Sequence, residues 1–370
     1  MRFLCICLSP AIDATVRLNA WPTDGCIIKN AADTFAPGGK AVNVARWLAI
    51  RRSCAARSGK GAEGGRREGP RHHIACGGLL GEDNAVMFEK ELAKYGIEDR
   101  FVRVPGSTRV NEMFVTPQGS FKVNRPFRGG PVLSWEDLDF RREGAPETFG
   151  ARPCASVAAG DAPETFGACP CASVAAGDAP ETFGARPRAP VSDVVILSGS
   201  LPKEWPADTY RHLVEAAKKT GAKVVLDASG AALVEGVKAH PDVIKPNAEE
   251  CEALIGFVPK TPEDFKRATA ALKQFCECPI ISDGGAGCWF DGTFVAAPKV
   301  EVLDTTAAGD TLLAEWCWQT YGRPHHPNTQ TLKHSNTSLW AVAAGSAACT
   351  MPGGEPPDVD LVEKLKEQMK

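Results

Sequence analysis

The sequence predicts an α/β fold with a mainly parallel central sheet and a small second β sheet. Three observations predict it. From residue 194 onward, short apolar runs alternate with segments whose apolar residues recur at helical spacing, which reads as buried strands alternating with amphipathic helices. Small or polar groups (SGS, DAS, KPN, SDGG) follow those runs, at the carboxyl ends of strands where open α/β sheets collect ligands. Earlier in the chain, two β-rich runs flank Pro117-Gln118-Gly119, a hairpin pattern.

The elements follow in order. MRFLCICLSPAID (1–13) reads as a buried first strand. Pro10 and Asp13 interrupt it too soon for a secretory leader, and no small-residue cleavage site follows. No apolar run is long enough to cross a bilayer, so a cytoplasmic protein without a membrane partner is expected. TRVNEMFV (108–115) and SFKVN (120–124) form the hairpin, and with 14–35 they give a separate small sheet. A lid over a substrate cleft is a natural use for such a sheet, the lid spanning about 14–35 and 108–127. An edge hairpin of the main sheet is the alternative.

VVILSGS (194–200) is a strand; Tyr210, Leu213, Val214 and Ala217 mark the buried stripe of the next helix, which Gly221 ends. KVVLDAS (223–229) is a strand, AALVEGVKA a short helix, VIKPN (243–247) a strand and AEECEALIG a helix. Thr261 and Pro262 open a further helix as N-cap and first helical residue. PIISDG (279–284) is the next strand; another ends near Asp304, and a helix begins near Ala308.

Two stretches stand outside this pattern. APETFGARPCASVAAGD (145–161) recurs as APETFGACPCASVAAGD (162–178), with a third copy beginning at Ala179. One aromatic per unit cannot build a core face, so 145–187 reads as a surface insertion in a single 1–370 domain. Residues 51–71, rich in glycine, arginine and lysine, read as a solvated loop.

The formal net charge is -3, without the basic excess of a nucleic-acid binder. The 14 cysteines include two C-x-C pairs but no zinc-finger spacing; reduced, mostly buried thiols are expected. There is no G-x-x-x-x-G-K-[ST] and no G-x-G-x-x-G after a strand, so phosphate handling needs another device. DTTAAGDT (304–311) offers one. Ala307, Ala308 and Gly309 let backbone N–H groups approach an anion at a helix start, and Asp310 would aim a carboxylate at the same spot as a general base. By spacing alone, an acidic residue there is equally ordinary capping.

Together the motifs resemble the PfkB, or ribokinase-like, family of sugar kinases, in its 1-phosphofructokinase and tagatose-6-phosphate kinase branch. They are LSPAID (8–13), PGGKAVNVAR (37–46), GGLLGEDN (77–84), TRVN (108–111), SGSLP (198–202), DASGAAL (227–233), IKPNAEE (244–250), SDGGAG (282–287) and DTTAAGDT (304–311). The resemblance implies a ribokinase-like three-layer fold. Its implied substrates are ATP and a sugar phosphate, with Mg2+ as cofactor, and it implies a homodimer formed through the lid. It implies that Asp310 is the catalytic base and that 307–309 form the anion hole. Asp13, Gly38, Gly39, Lys40, Asn43, Arg109 and Asn111 would bind the sugar, Arg109 through the phosphate already present. Lys245, Asn247, Ser282, Gly284, Gly287 and Gly309 would face the nucleotide, and Glu250 would act near magnesium through water. Each motif also has a plain reading: Asn247 and Glu250 fit a helix cap, and Gly38-Gly39 a turn.

This chain departs from the family where Ala307 replaces the usual glycine, and where VNRPFRGG (123–130) brings Arg125 and Arg128 in place of Asn-Glu. If position 307 has positive φ, alanine there costs about 1 kcal/mol. The expected reaction converts fructose 1-phosphate to fructose 1,6-bisphosphate. Tagatose 6-phosphate, an unphosphorylated sugar or nucleoside, and a non-catalytic sugar-phosphate sensor are the alternatives.

Overall fold

The computed structural model describes residues 1–23, 32–58, 72–126, 192–203, 205–323 and 330–369. The repeat at 145–187, residues 59–71 and Arg128 lie outside them; residues 51–58, read from sequence as solvated loop, instead continue the helix Lys40–Ser58, where Arg51 is buried against Glu315. Strand β1 (Arg2–Cys7) explains the layering. Its side chains alternate between two buried clusters, Phe3, Cys5 and Cys7 on one face and Leu4 and Ile6 on the other. A strand apolar on both faces belongs at the centre of a sheet covered on both sides. Among the described residues β1 lies in a nine-stranded sheet of order β13-β12-β11-β10-β9-β8-β1-β4-β5. The other members are β4 (His73–Gly81), β5 (Glu98–Val104), β8 (Val194–Ser198), β9 (Lys223–Asp227), β10 (Val243–Ile244), β11 (Cys278–Asp283), β12 (Gly287–Phe290) and β13 (Thr293–Ala296). The pairings from β5 through to β11 are parallel, and β12 and β13 close the edge antiparallel.

Helices α1 (Lys40–Ser58), α7 (Ala308–Cys317), α8 (Gln330–Ala348) and α9 (Val359–Gln368) share one buried cluster with the sheet. Helices α3 (Thr209–Lys219), α4 (Gly230–Gly236) and α6 (Pro262–Leu272) share the other. The expected stripe on α3 is buried at Tyr210, Leu213, Val214 and Ala217, and Gly221 follows the helix at φ +84. Thr261 caps α6 in a reciprocal capping box with Asp264. Buried Glu315 on α7 accepts from Trp47 Nε1 of α1 at 2.7 Å and from Gln319 Nε2 at 2.6 Å, and pairs with Arg51 at 3.1 Å. That network fixes α7 against α1, the two helices that carry the candidate chemistry.

The hairpin is not an edge of the main sheet. Strands β2 (Ala11–Arg17), β3 (Ala32–Gly38), β6 (Val110–Thr116) and β7 (Gly119–Arg125) form a separate sheet in the order β3-β2-β6-β7. Its register pairs Asp13 with Asn111 and Asn111 with Asn124, placing all three on one face.

Three further expectations about local structure change. Residues 301–304 form no strand: Leu303 and Asp304 N–H both reach the Cys349 carbonyl at the end of α8, at 2.9 and 3.2 Å, and Val302 and Leu303 are exposed. Tied to a helix end, this run has no ladder partner. The VIKPN strand is cut to Val243–Ile244 plus a single bridge from Asn247 to Ser282. The helix after it, α5 (Cys251–Ile255), starts late because Asn247–Glu250 form a turn closed by their own side chains. No disulfide joins the ten described cysteines, most of which are buried, and the described residues hold no cluster of three metal-ligating side chains. No described helix is long and apolar enough to cross a membrane.

Candidate active site

A cleft of about 500 Å³ opens between the second sheet and the carboxyl ends of the central strands, with the start of α7 in its wall. Asp310, in the first turn of α7, is buried, and its Oδ2 accepts a hydrogen bond from Asn43 Nδ2 at 2.8 Å. Burial pushes its carboxyl up to about 6, and the neighbouring Asp227 charge acts in the same direction; Asn43, Lys40 and Lys245 oppose the rise. A carboxyl in that range is largely ionised at pH 7 yet close to the pH at which it takes up a proton.

The sequence reading missed Asp227 as a site residue. It ends β9 fully buried and pairs with Lys40 Nζ and Lys245 Nζ, each at 3.2 Å, while Ser198 Oγ donates to it at 3.0 Å. Burial alone would raise its carboxyl; the two lysines reverse that and hold it below the usual carboxylate range. The signal was present, since a carboxylate at the end of an apolar parallel strand cannot stay buried without cationic partners. Lys245 also comes within 3.5 Å of where a side chain on Gly309 would begin, so the ammonium group stands beside the helix start.

On the sugar side, Asn111 Nδ2 donates to Asp13 Oδ1 at 2.9 Å. Burial raises the Asp13 carboxyl, against the pull of Asn111, Arg109, Arg46 and Lys122. Gly38 and Gly39 have steric reasons to be glycine. A Cβ on Gly38 would stand 1.9 Å from Asp13 Oδ2, and Gly39, at φ +115, would put one 2.8 Å from Cys7 Sγ. Arg109 sits just before β6 and donates to the Pro10 and Ser9 carbonyls at 3.3 and 3.2 Å. Lys122 and Asn124 line the same cleft from β7. The alternation in Phe121-Lys122-Val123-Asn124 could have identified them. Arg125 is paired with Glu112 at 2.9 Å.

The helix start is shaped by Asp304. Its Oδ1 accepts from Thr306 N–H and Oγ1 at 2.8 and 2.7 Å, and its Oδ2 from Gly353 N–H at 3.1 Å. Ala307 follows in the left-handed region at φ 63, ψ 2, so the positive φ that a glycine would take freely is imposed on alanine. Its cost is about 1 kcal/mol. Ala308 N–H turns back to the Thr305 carbonyl at 3.3 Å; the N–H groups of Gly309 and Asp310 have no partner among the described residues. Replacing Ala307 with glycine should therefore stabilise the fold by roughly 0.5–1 kcal/mol, read as a higher urea midpoint at constant m. A lower midpoint would show that the alanine methyl contributes more than its backbone costs.

The residues expected to face a nucleotide lie further along the sheet edge. Asn247 and Glu250 bond reciprocally, Asn247 N–H to Glu250 Oε2 at 2.9 Å and Glu250 N–H to Asn247 Oδ1 at 2.7 Å. This is the capping geometry, and it leaves Glu250 Oε1 for another partner. Ser282 bridges to Asn247, Gly284 turns at φ +50, and a Cβ on Gly287 would meet the Val295 carbonyl at 2.2 Å, so that glycine serves the β12–β13 pairing. Asn247, Glu250, Ser282, Gly284 and Gly287 are not in the cleft wall that holds Asp310; Lys245 is.

Comparison with known proteins accords with this arrangement. The pfkB family carbohydrate kinase description matches residues 154–314. The 1-phosphofructokinase of Rhodobacter capsulatus is 28% identical over 322 residues, covering 85% of this chain and 82% of that protein. The Vibrio cholerae 1-phosphofructokinase is 26% identical over 100% of this chain and 96% of its own length. The chain is thus similar to PfkB carbohydrate kinases. The fold is similar as well. The crystal structure of Escherichia coli phosphofructokinase-2 in complex with substrates and products superposes with a TM-score of 0.70 at 19% identity, covering 100% of this chain and 99% of that one. The chain thus has the mainly parallel sheet and small second sheet of a ribokinase-like fold.

Proposed function

We propose that this chain is a PfkB-type sugar kinase that transfers the γ-phosphoryl group of ATP to fructose 1-phosphate, giving fructose 1,6-bisphosphate, with Asp310 as general base. The observation that carries the reading is the placement of Asp310: a buried carboxylate at a helix start, held by Asn43 and facing a cleft lined by Arg109 and Lys122. The acceptor hydroxyl lies between Asp310 and the incoming phosphoryl group. Asp310 takes its proton as the oxygen attacks, and the Gly309 and Asp310 N–H groups, with Lys245 beside them, meet the charge on the transferred group. Asp13 and Asn111 orient sugar hydroxyls. Lys122 has no ion-pair partner among the described residues and, with Arg109, supplies charge for the phosphate already on the sugar.

Magnesium fits the residues present. The metal favours one or two carboxylates plus water and nucleotide phosphates, and Glu250 has an oxygen outside its cap for a water-mediated contact. When bound, it neutralises phosphate charge. The 1-phosphofructokinase relatives favour fructose 1-phosphate as acceptor. The test is ADP release with fructose 1-phosphate, fructose 6-phosphate, tagatose 6-phosphate and unphosphorylated sugars. The highest kcat/KM is expected for fructose 1-phosphate, and absence of turnover on every phosphorylated ketose would overturn the proposal.

A further inference from the structure

Arg46 lies on α1 one turn after Asn43, buried behind the cleft. Its Nη1 pairs with Glu91 of α2 (Val86–Tyr95) at 3.2 Å. Its Nη2 donates to Asn43 Oδ1 and, at 3.3 Å, to the Gly354 carbonyl. A guanidinium group has donors and no acceptor. The atom that Asn43 turns toward Arg46 must therefore be its carbonyl oxygen, and the atom it turns toward Asp310 must be its nitrogen. Without that constraint the amide could rotate, face Asp310 with oxygen, and accept a hydrogen bond from the protonated acid. The base would then be held neutral. The second contact has a related effect. Gly354 follows Gly353, whose N–H is bound by Asp304, and a side chain on Gly354 would begin 3.7 Å from Ala307 Cβ. One guanidinium thus touches both the partner of the base and the loop that backs the helix start.

We propose that Arg46 is a positioning residue of the phosphoryl transfer: it fixes the Asn43 amide with nitrogen toward Asp310, keeping the base ionised and aligned. The inference rests on the reading of Asp310 as the base. Asp310 is also faced by Asp227 from β9, Lys40 from α1 and Lys245 beyond β10, and Cys7 of β1 lies close by. Arg46 itself faces Glu91 and the charge of Asp13. The test must therefore separate orientation of the amide from loss of a positive charge.

The experiment is the pH profile of kcat, with acceptor KM, for Arg46→Met, Asn43→Ala, the double variant and Asn43→Asp. Arg46→Met should lower kcat roughly tenfold at pH 7 and move the acid limb up by about one pH unit, with a smaller change in KM. In the Asn43→Ala background the same substitution should move the limb no further. Asn43→Asp keeps an acceptor for Arg46 but places oxygen toward Asp310, so it should raise the limb by at least as much. Should Arg46→Met fail to fold because Glu91 is stranded, Arg46→Met/Glu91→Gln and Asn43→Asp carry the test. An unmoved limb in Arg46→Met or Asn43→Asp, or a full shift persisting without Asn43, overturns the proposal. Failure of the underlying reading looks different: Asp310→Asn would then retain wild-type turnover.

Discussion

Asp310→Asn is expected to lower kcat by at least about 100-fold while leaving acceptor affinity within a few-fold. The substitution keeps shape, and its amide oxygen can still accept from Asn43 Nδ2, but the proposed proton acceptor for the attacking hydroxyl is gone. In the wild type, kcat should fall as the pH drops through about 6, because burial and the Asp227 charge set the Asp310 carboxyl there. The stability consequence runs the other way. A carboxyl whose folded value lies above its unfolded value of about 4 binds protons more readily in the native state. It therefore adds stability as pH falls below about 6 and costs stability above it. At pH 8, Asp310→Asn should be at least as stable as the wild type, by on the order of 1–3 kcal/mol, as a thermal melt reads. Unchanged turnover in this variant would remove Asp310 from the mechanism.

Many residues that line the cleft stand out in the sequence, and the others show why some do not. Asp310, Gly309, Asn43 and Lys40 belong to contiguous runs whose small residues and charges mark helix starts, so their placement at the cleft follows from local pattern. The α3 stripe and the Thr261 cap were readable for the same reason. The strand expected before Asp304 failed because its apolar residues suit a strand, while their backbone is bound by Cys349, far away in sequence. Ala307 shows the limit of local reading most clearly. The sequence posed the question of its φ; the answer depends on Asp304, Thr306 and Gly353 closing a turn that places residue 307 in the left-handed region. Asp227 and Arg46 escaped for a related reason. Each sits within a recognised motif, but its function lies in partners from other segments: Lys40 and Lys245 for one, Asn43, Glu91 and Gly354 for the other.

Asp227→Ala is expected to be the most damaging single change to the fold near the cleft, costing roughly 3–5 kcal/mol. The carboxylate is fully buried and satisfied by Lys40, Lys245 and Ser198. Its removal strands the buried Lys245 ammonium beside a second cation. Because its carboxyl is held below the usual range in the folded state, this contribution is present above the unfolded value near 4. It is lost as the pH falls through the folded value. The urea midpoint of Asp227→Ala should therefore lie well below that of the wild type at pH 7, with the gap narrowing in acid. Removing the stranded charge with Lys245→Met should recover part of the loss. A gap independent of pH would point to packing rather than charge. The gentler Asp227→Asn tests whether the same carboxylate also tunes the base. Losing one negative charge and freeing two lysines both favour ionised Asp310, so the acid limb of kcat should move below about 6. A limb that stays put would mean that burial alone sets the base. The two readings differ in consequence: in the first, the ion-pair hub that holds the strand ends together is also what keeps Asp310 close to neutrality, so stability and catalytic tuning cannot be varied independently at Asp227.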